Sequence, residues 1–378
     1  MVTMSASSPR FAALIAAAAD AYTPSSAESP VTSAAFARLA AAMLDFAEQT
    51  SGCRVGAVEI LSAGMRSVVL RLVFESSDTS PGGTASATSS RIVKFFRRRD
   101  AASNSGGFGY LREKHGLAAL GELVPGVYPQ LRASDDGRRT LMMEDLASGA
   151  SSELKSCAEL MAQGSQQAAL ALRAYLDLWT AVLRSPAQQK VIEGFRQQLA
   201  LADPIASSPG SLASPALVLK GLERMVVSGD LPADQLARVK GNLETLLAVS
   251  PHQAVLTSGD FSPLNVVLSV TQPLAQTPAL STGNLAVRAL DAEGSAWHHP
   301  ALLIAEVLLG FPSTPGPSLT TYLNERQLQE AALMLAQHIY PGIPTVEELT
   351  SLPEVEASLL TIQGIRAEQA GNSRTASN

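Results

Sequence analysis

The sequence predicts an α+β protein: a small, mostly antiparallel sheet carrying one helix, followed by a larger, mainly helical part. Three observations carry that reading. Five short runs before residue 146 have strand-like patterning, apolar residues recur at helical spacing from Glu153 to Val249, and "LTSGDFSPLNVVLSV" at 256–270 interrupts the helices with strand, turn and strand. Of 378 residues, 46% are hydrophobic and 16% charged, which suits a sizeable core in one large or two moderate domains. A net charge of −6 gives a nucleic-acid partner no electrostatic support, and no basic, aromatic-interleaved stripe offsets it. Cys53 and Cys157 lack metal-ligand spacing, so neither a zinc site nor a disulfide framework is expected and a reducing compartment is. The run "FAALIAAAADAY" has no basic leader, is interrupted by Asp20 and is too short to span a membrane; it reads as a helix of a cytoplasmic protein with no membrane association.

The elements follow in order. "SAAFARLAAAMLDFAEQT" has helical spacing and a Ser-led start. From Val55 the period changes to two: "VGAVEIL", the tight turn "SAGMRS" and "VVLRLVF" read as strand, turn and strand, and "RIVKFF" as a third strand. The polar stretches "ESSDTSPGGTASATSS" and "AASNSGGFG" read as loops. "YLREKHGLAAL" is a short helix ending near Gly121, and "GVYPQLRAS" and "RRTLMMEDL" are two further strands joined at "DDGR". In the helical part Leu172, Tyr175, Leu176, Trp179 and Leu183 share one face, as do Leu236, Val239, Leu243, Leu246 and Leu247. "DPIASSPGSLASP" is a loop, "LAVRALD" a strand, and "RAEQAGNSRTASN" a frayed tail.

The turn at 256–270 carries the chemistry. A strand ending at Thr257, then Gly259 and Asp260, would set a carboxylate at the exposed end of a sheet, and Asn265 opens the next strand five residues on. The strand ending in "LDAEG" would bring Asp291 beside them. Two carboxylates and an amide oxygen make a hard-ligand site suited to Mg²⁺. The plain alternative is an ordinary Asp turn and an acid that closes a strand.

"SGDFSPLN" followed by "LDAEG" resembles the H-G-D-x-x-x-x-N and D-x-E pattern of the aminoglycoside phosphotransferase and choline kinase families, which share the two-lobed protein-kinase-like fold. The resemblance implies that Asp260 is the catalytic base and that Asn265 and Asp291 bind Mg²⁺, with ATP as phosphoryl donor and a small-molecule hydroxyl as acceptor. It also implies Lys94 in "RIVKFF" on the nucleotide phosphates, Glu113 pairing with Lys94, and Gly64 and Ser67 in the phosphate-covering turn. Met143, Glu144 and Asp145 would form the hinge against the adenine ring. Each of these has a structural alternative: an ordinary turn for Gly64, an outward strand residue for Lys94, a solvated helix face for Glu113 between Arg112 and Lys114. The implied layout is a helical extension at 1–49, a nucleotide lobe at 50–146, a helical lobe with catalytic loop and acceptor pocket at 147–365, and a flexible tail at 366–378.

The pattern departs from the families in two places. Ser258 stands where the motif has His, and Leu303 where relatives carry an Asp after "WHHP"; both normally support the catalytic loop. A catalytically impaired pseudokinase, serving as a nucleotide-binding or interaction module, is therefore the alternative reading. His298 and His299 are read as loop residues rather than metal ligands, and Ser258 with His252 lacks the third group of a nucleophilic triad. The run "KFFRRRD" reads as a solvated strand end. Residues 301–378 hold eight acids against three arginines, a balance that would suit a cationic acceptor but is more simply an acidic solvent-facing surface.

Overall fold

A period-two pattern organises the first part of the chain. The computed structural model describes residues 33–63, 67–75, 89–96, 109–148, 154–203, 215–247, 249, 251–270, 281–282, 285–312, 314 and 319–375. Gly64, the helix read at 11–22, the basic run beyond Phe96, and most of the three polar loops named above lie outside the described residues. Among the described residues, no helix is long and apolar enough to cross a membrane.

The chain divides into two compact units, Met1–Ser103 with Pro129–Ser151, and Asn104–Tyr128 with Ser152–Asn378. In the first, β1 (Val55–Ala63), β2 (Ser67–Phe74), β3 (Ser90–Phe96), β4 (Leu131–Asp135) and β5 (Thr140–Glu144) form a sheet in the order β1-β2-β3-β5-β4, antiparallel throughout. Every second residue of β2, Val68, Leu70, Leu72 and Phe74, is buried, as the alternation requires. They pack with Val93, Phe95 and Met142 and with Met43, Leu44 and Ala47 of α1 (Ser33–Ser51). Burying each of the larger side chains contributes roughly 1.5–3 kcal/mol. The part of the N-terminal extension that is described is therefore the helix that covers this sheet face.

The second unit holds α2 (Tyr110–Leu123), which the sequence reading grouped with the sheet. The physical reason is its packing: α2 lies against α5 (Gln188–Ala202), and Gly109 N–H donates to Glu293 O at 2.8 Å. Around it stand α3 (Cys157–Met161), α4 (Ser165–Arg184), α6 (Pro215–Ser228), α7 (Ala233–Leu247), α8 (Ala301–Leu308), α9 (Glu325–Ala336), α10 (Val346–Thr350) and α11 (Pro353–Thr375). Strands β6 (Lys155–Ser156), β8 (Val266–Val270), β10 (Leu285–Ala289) and β9 (Ser281–Thr282) form one sheet in that order. A separate ladder joins β7 (Val255–Thr257) to β11 (Ala296–His298).

Four local readings change. The strand expected from Gly126 begins only at Leu131, because the chain first turns through Gly126 at φ +75°. The helical reading from Glu153 is preceded by β6, which pairs with β8 before Ser156 caps α3 in a reciprocal capping box with Glu159. Part of "WHH" is strand and not loop: Trp297 and His298 pair with Leu256 and Val255, while His299 follows the strand as a loop residue. The tail read from 366 is helical as far as Thr375, and its Glu368, 3% exposed, accepts from Lys220 Nζ at 2.7 Å and pairs with Arg224 Nε at 3.0 Å.

Helices α6 and α11 touch backbone to backbone where Gly221 meets Gly364. A Cβ at Gly221 would lie 1.8 Å from Gly364 O, whereas one at Gly194, exposed in α5, meets nothing within 4 Å. Gly221→Ala should destabilise the protein by at least about 1–3 kcal/mol through overpacking. Gly194→Ala should stabilise it by roughly 0.5–1 kcal/mol through helix propensity. Paired urea melts read both, and equal effects would remove the close-contact account.

Candidate functional site

Two ladders bring the motif residues together. β7 leads into the 258–262 loop and a 3₁₀ turn, Pro263–Asn265, before β8; β10 leads into the 291–295 loop before β11. Because β8 pairs with β10 and β7 with β11, the two loops lie between the two ladders. Leu290 N–H donates to Asn265 O at 2.7 Å, which sets Asn265 across from the residue before Asp291.

The Asp260 loop is closely specified. Gly259 has φ +78°, and a Cβ there would sit 1.7 Å from Gly294 O, so only glycine fits. Asp260 Oδ1 accepts from Ser262 N–H at 2.9 Å, and Oδ2 accepts from Asn265 Nδ2 at 3.0 Å. The two bonds fix the carboxylate's orientation. Donating through Nδ2 leaves Asn265 Oδ1 as an acceptor, as a metal ligand requires. Ser262 Oγ accepts from Leu264 N–H at 3.3 Å and lies 3.0 Å from Thr314 Oγ1. The alternative pairing of Ser258 with His252 is not what the structure shows for either group: Ser258 Oγ donates to Asp260 O at 3.3 Å, and His252 Nδ1 meets the Gln189 amide.

Asp291 adopts φ +56°, a conformation costly for a non-glycine residue, and accepts from Glu293 N–H at 3.3 Å. Its carboxylate gathers with those of Glu113 and Glu293, all within 4.8 Å of one another; Glu113 and Glu293 are buried. These are hard oxygen donors of the class Mg²⁺ prefers, and a divalent cation would relieve the repulsion among them, so the residues present fit that metal. α2 is keyed to this loop by Arg112, fully buried, whose Nη1 donates to Ser295 O at 2.8 Å. Gly116 approaches so closely that a Cβ would lie 2.0 Å from Ser295 Oγ. Desolvation draws the Arg112 pKa down to about 10.

Sequence reading assigned roles to Asp291 and Glu113 but none to Glu293 or Arg112. The signal for α2 was present: Glu113, Leu117 and Leu120 fall on one helical face, and all three are buried. The solvated-face reading of "REK" therefore does not hold for Arg112 and Glu113.

The other expected residues lie in the first unit. Lys94, 6% exposed, pairs along the backbone with Val69 and Leu141 and holds its ammonium 5.1 Å from the Phe96 ring centroid. Ser67 opens β2 opposite Phe96. Met143 is a buried ladder residue between Ile92 and Leu131, and Glu144 N–H donates to Gln130 O at 2.9 Å. The buried Asp145 carboxylate braces the strand ends, accepting from Arg71 Nε at 2.9 Å, Ser90 Oγ at 2.6 Å and Ala147 N–H at 3.0 Å. Of the eight C-terminal acids, Glu306 and Glu368 are buried, Glu354 and Glu356 are half-buried, and Glu325, Glu330, Glu347 and Glu348 are exposed.

Three strands, a helix, two strands, then helices interrupted by paired loops with Asp260, Asn265 and Asp291 is the order of the protein-kinase-like fold that the motif resemblance implies. Within that class, the chain is similar to a Plasmodium vivax ethanolamine kinase, at 11% identity and TM-score 0.46, over 94% of this chain and 92% of that one. It is also similar to an ADP-bound aminoglycoside phosphotransferase, at 13% identity and TM-score 0.40, over 85% and 98%. A GDP complex of another aminoglycoside phosphotransferase shares 13% identity at TM-score 0.38, over 88% and 97%. No family model and no curated protein matches the sequence.

His298 yields a test of the buried loop environment. It is 4% exposed, its Nε2 has no hydrogen-bond partner, and burial, then the charge of Arg112, lower its pKa from 6.5 to about 3. Between those values the unfolded chain binds a proton that the folded chain refuses, so stability is full above pH 6.5 and falls as pH drops toward 3. His298→Phe should reduce the slope of stability against pH by up to about 1.4 kcal/mol per pH unit in that window. His299, whose pKa is also lowered by burial, contributes slope of the same sign. An unchanged slope in denaturant titrations between pH 6.5 and 4 would exclude a neutral buried His298.

Proposed function

We propose that this protein is an ATP-dependent phosphotransferase that moves the γ-phosphoryl group to a hydroxyl of a small molecule. The observation that supports this most directly is the hydrogen bond from Asn265 to Asp260 in a loop paired with the Asp291 loop, where three carboxylates converge. Asp260 would orient and deprotonate the acceptor hydroxyl. The acceptor's hydroxyl oxygen would bond to the γ-phosphorus as the bond from that phosphorus to the ADP oxygen breaks, and the hydroxyl proton would pass to Asp260. Lys94 would hold the α- and β-phosphates, with the turn containing Gly64 and Ser67 over them and the Met143–Asp145 backbone against the adenine. Asn265 and Asp291 would hold Mg²⁺, with Glu113 and Glu293 beside them; bound there, the metal neutralises phosphate charge. The acceptor would be a hydroxyl compound, and the excess of acids over arginines in residues 301–378 is the one feature that would suit a cationic one.

A second reading, a nucleotide-binding pseudokinase, is favoured by Ser258 and Leu303 in place of the usual supporting His and Asp. Calorimetry with ATP and with GTP, each with and without Mg²⁺, separates the possibilities. Mg²⁺-dependent binding of one nucleotide that is lost in Asp291→Ala is the expected result; no binding by either nucleotide overturns both readings. Asp260→Asn should lower turnover by about 10²–10⁴-fold with nucleotide affinity retained. Binding with no transfer to any hydroxyl acceptor would favour the pseudokinase.

A further inference from the structure

The loop bearing Asp260 lacks the two supports that the resemblance implies, yet its backbone is not left to itself. Tyr175 on α4 is fully buried, and its hydroxyl donates to the carbonyl of Phe261, the residue after Asp260, at 2.7 Å. The phenol ring is wedged edge-on between Trp179, at 6.0 Å, and Phe311, at 5.0 Å between centroids. Trp179 in turn meets the Phe261 ring edge-on at 5.4 Å, and His298 closes the other side at 5.8 Å. The helix that carries Tyr175 and Trp179 spans 20 residues, so the pair is presented by a rigid element four residues apart on one face. Burial, then the negative charge of the fully buried Glu306, push the phenol pKa well above its ordinary value, which keeps the hydroxyl a donor.

We propose that Tyr175 is the positioning residue of the Asp260 loop, its hydroxyl clamping the Phe261 carbonyl in place of the support that a motif His and a downstream Asp give in the resembling families. Only the catalytic consequence of this clamp rests on the phosphotransferase reading; the clamp itself does not. The hydroxyl is specific to the task because the aromatic ring alone would pack equally well as phenylalanine. Losing it strands a buried carbonyl, and the loop can resatisfy that carbonyl only by shifting toward water and carrying Asp260 with it.

Hydrogen exchange on the full chain without nucleotide tests the clamp. In Tyr175→Phe, amides across 258–265 should exchange at least about tenfold faster than in the wild type, while those of β10 keep their rates and the melting temperature stays close to wild type. Trp179→Phe, which keeps the hydroxyl and trims the packing, should loosen the loop far less. Unchanged exchange in Tyr175→Phe, or equal loosening in the two variants, would overturn the proposal. If the wild type binds nucleotide and turns over, Tyr175→Phe should lower kcat by about tenfold or more with KM for ATP unchanged, and a rise in KM alone would overturn the positioning role. If the wild type binds no nucleotide, the phosphotransferase reading falls while the exchange result still decides the clamp.

Discussion

The arrangement of the second unit depends on one close approach: Gly259 passes Gly294 with no room for a side chain. β7 can pair with β11 and β8 with β10 only if the loops between them share the same narrow space, and a Cβ 1.7 Å from a carbonyl oxygen would drive them apart. Glycine also supplies the positive φ that turns the chain immediately before Asp260. A single residue thus meets a steric and a conformational demand together, and the positions of Asp260, Asn265 and Asp291 follow from it.

The second feature of this region is its concentration of buried charge. Arg112, Glu113 and Glu293 are all under a tenth exposed, which is costly unless charges are balanced and hydrogen bonds satisfied. Arg112 places its positive charge beside the loop and bonds Ser295 O, so α2 is attached to the loop through a polar contact rather than an apolar one. Burial first, and then the positive charge of Arg112, keep His298 neutral in the same neighbourhood. Hydrophobic replacements would stabilise such an interface more simply, so an arrangement of this kind favours the metal-holding role proposed for these carboxylates over a purely stabilising one.

How much of this was legible in the sequence varies with the range of the interaction. The sheet was readable because β2 alternates strictly, and Asp260 with Asn265 because their spacing lies within one turn and its flanking strands. The gathering of Glu113 with Asp291 and Glu293 joins residues far apart in the chain, and no local period announces it. "REK" looked solvated because each member is charged; burial of Arg112 comes from Ser295 and the glycine contact at Gly116, which are tertiary facts. β11 escaped notice for a related reason. Three residues are too few to show an alternation, and they form a strand only because β7 offers a partner.

Ser258 and Leu303 show why a missing motif residue weighs differently on fold and on chemistry. A supporting residue acts through the geometry it maintains, and geometry can be maintained from another direction, since a carbonyl needs a donor at the right place and not a donor of one type. Leu303 is itself fully buried in α8, so the position has become part of the apolar core rather than an empty polar site. One helical turn further on, Glu306 is also fully buried and its charge acts on Tyr175, which keeps an acid in this helix at a shifted register. Under the proposed function Asp260, Asn265 and Asp291 would have no such latitude, because a group that touches substrate or metal cannot be replaced from the far side of the loop. Both departures from the motif fall at supporting positions, and the three positions where contact would be direct match it, which is the pattern the phosphotransferase proposal calls for.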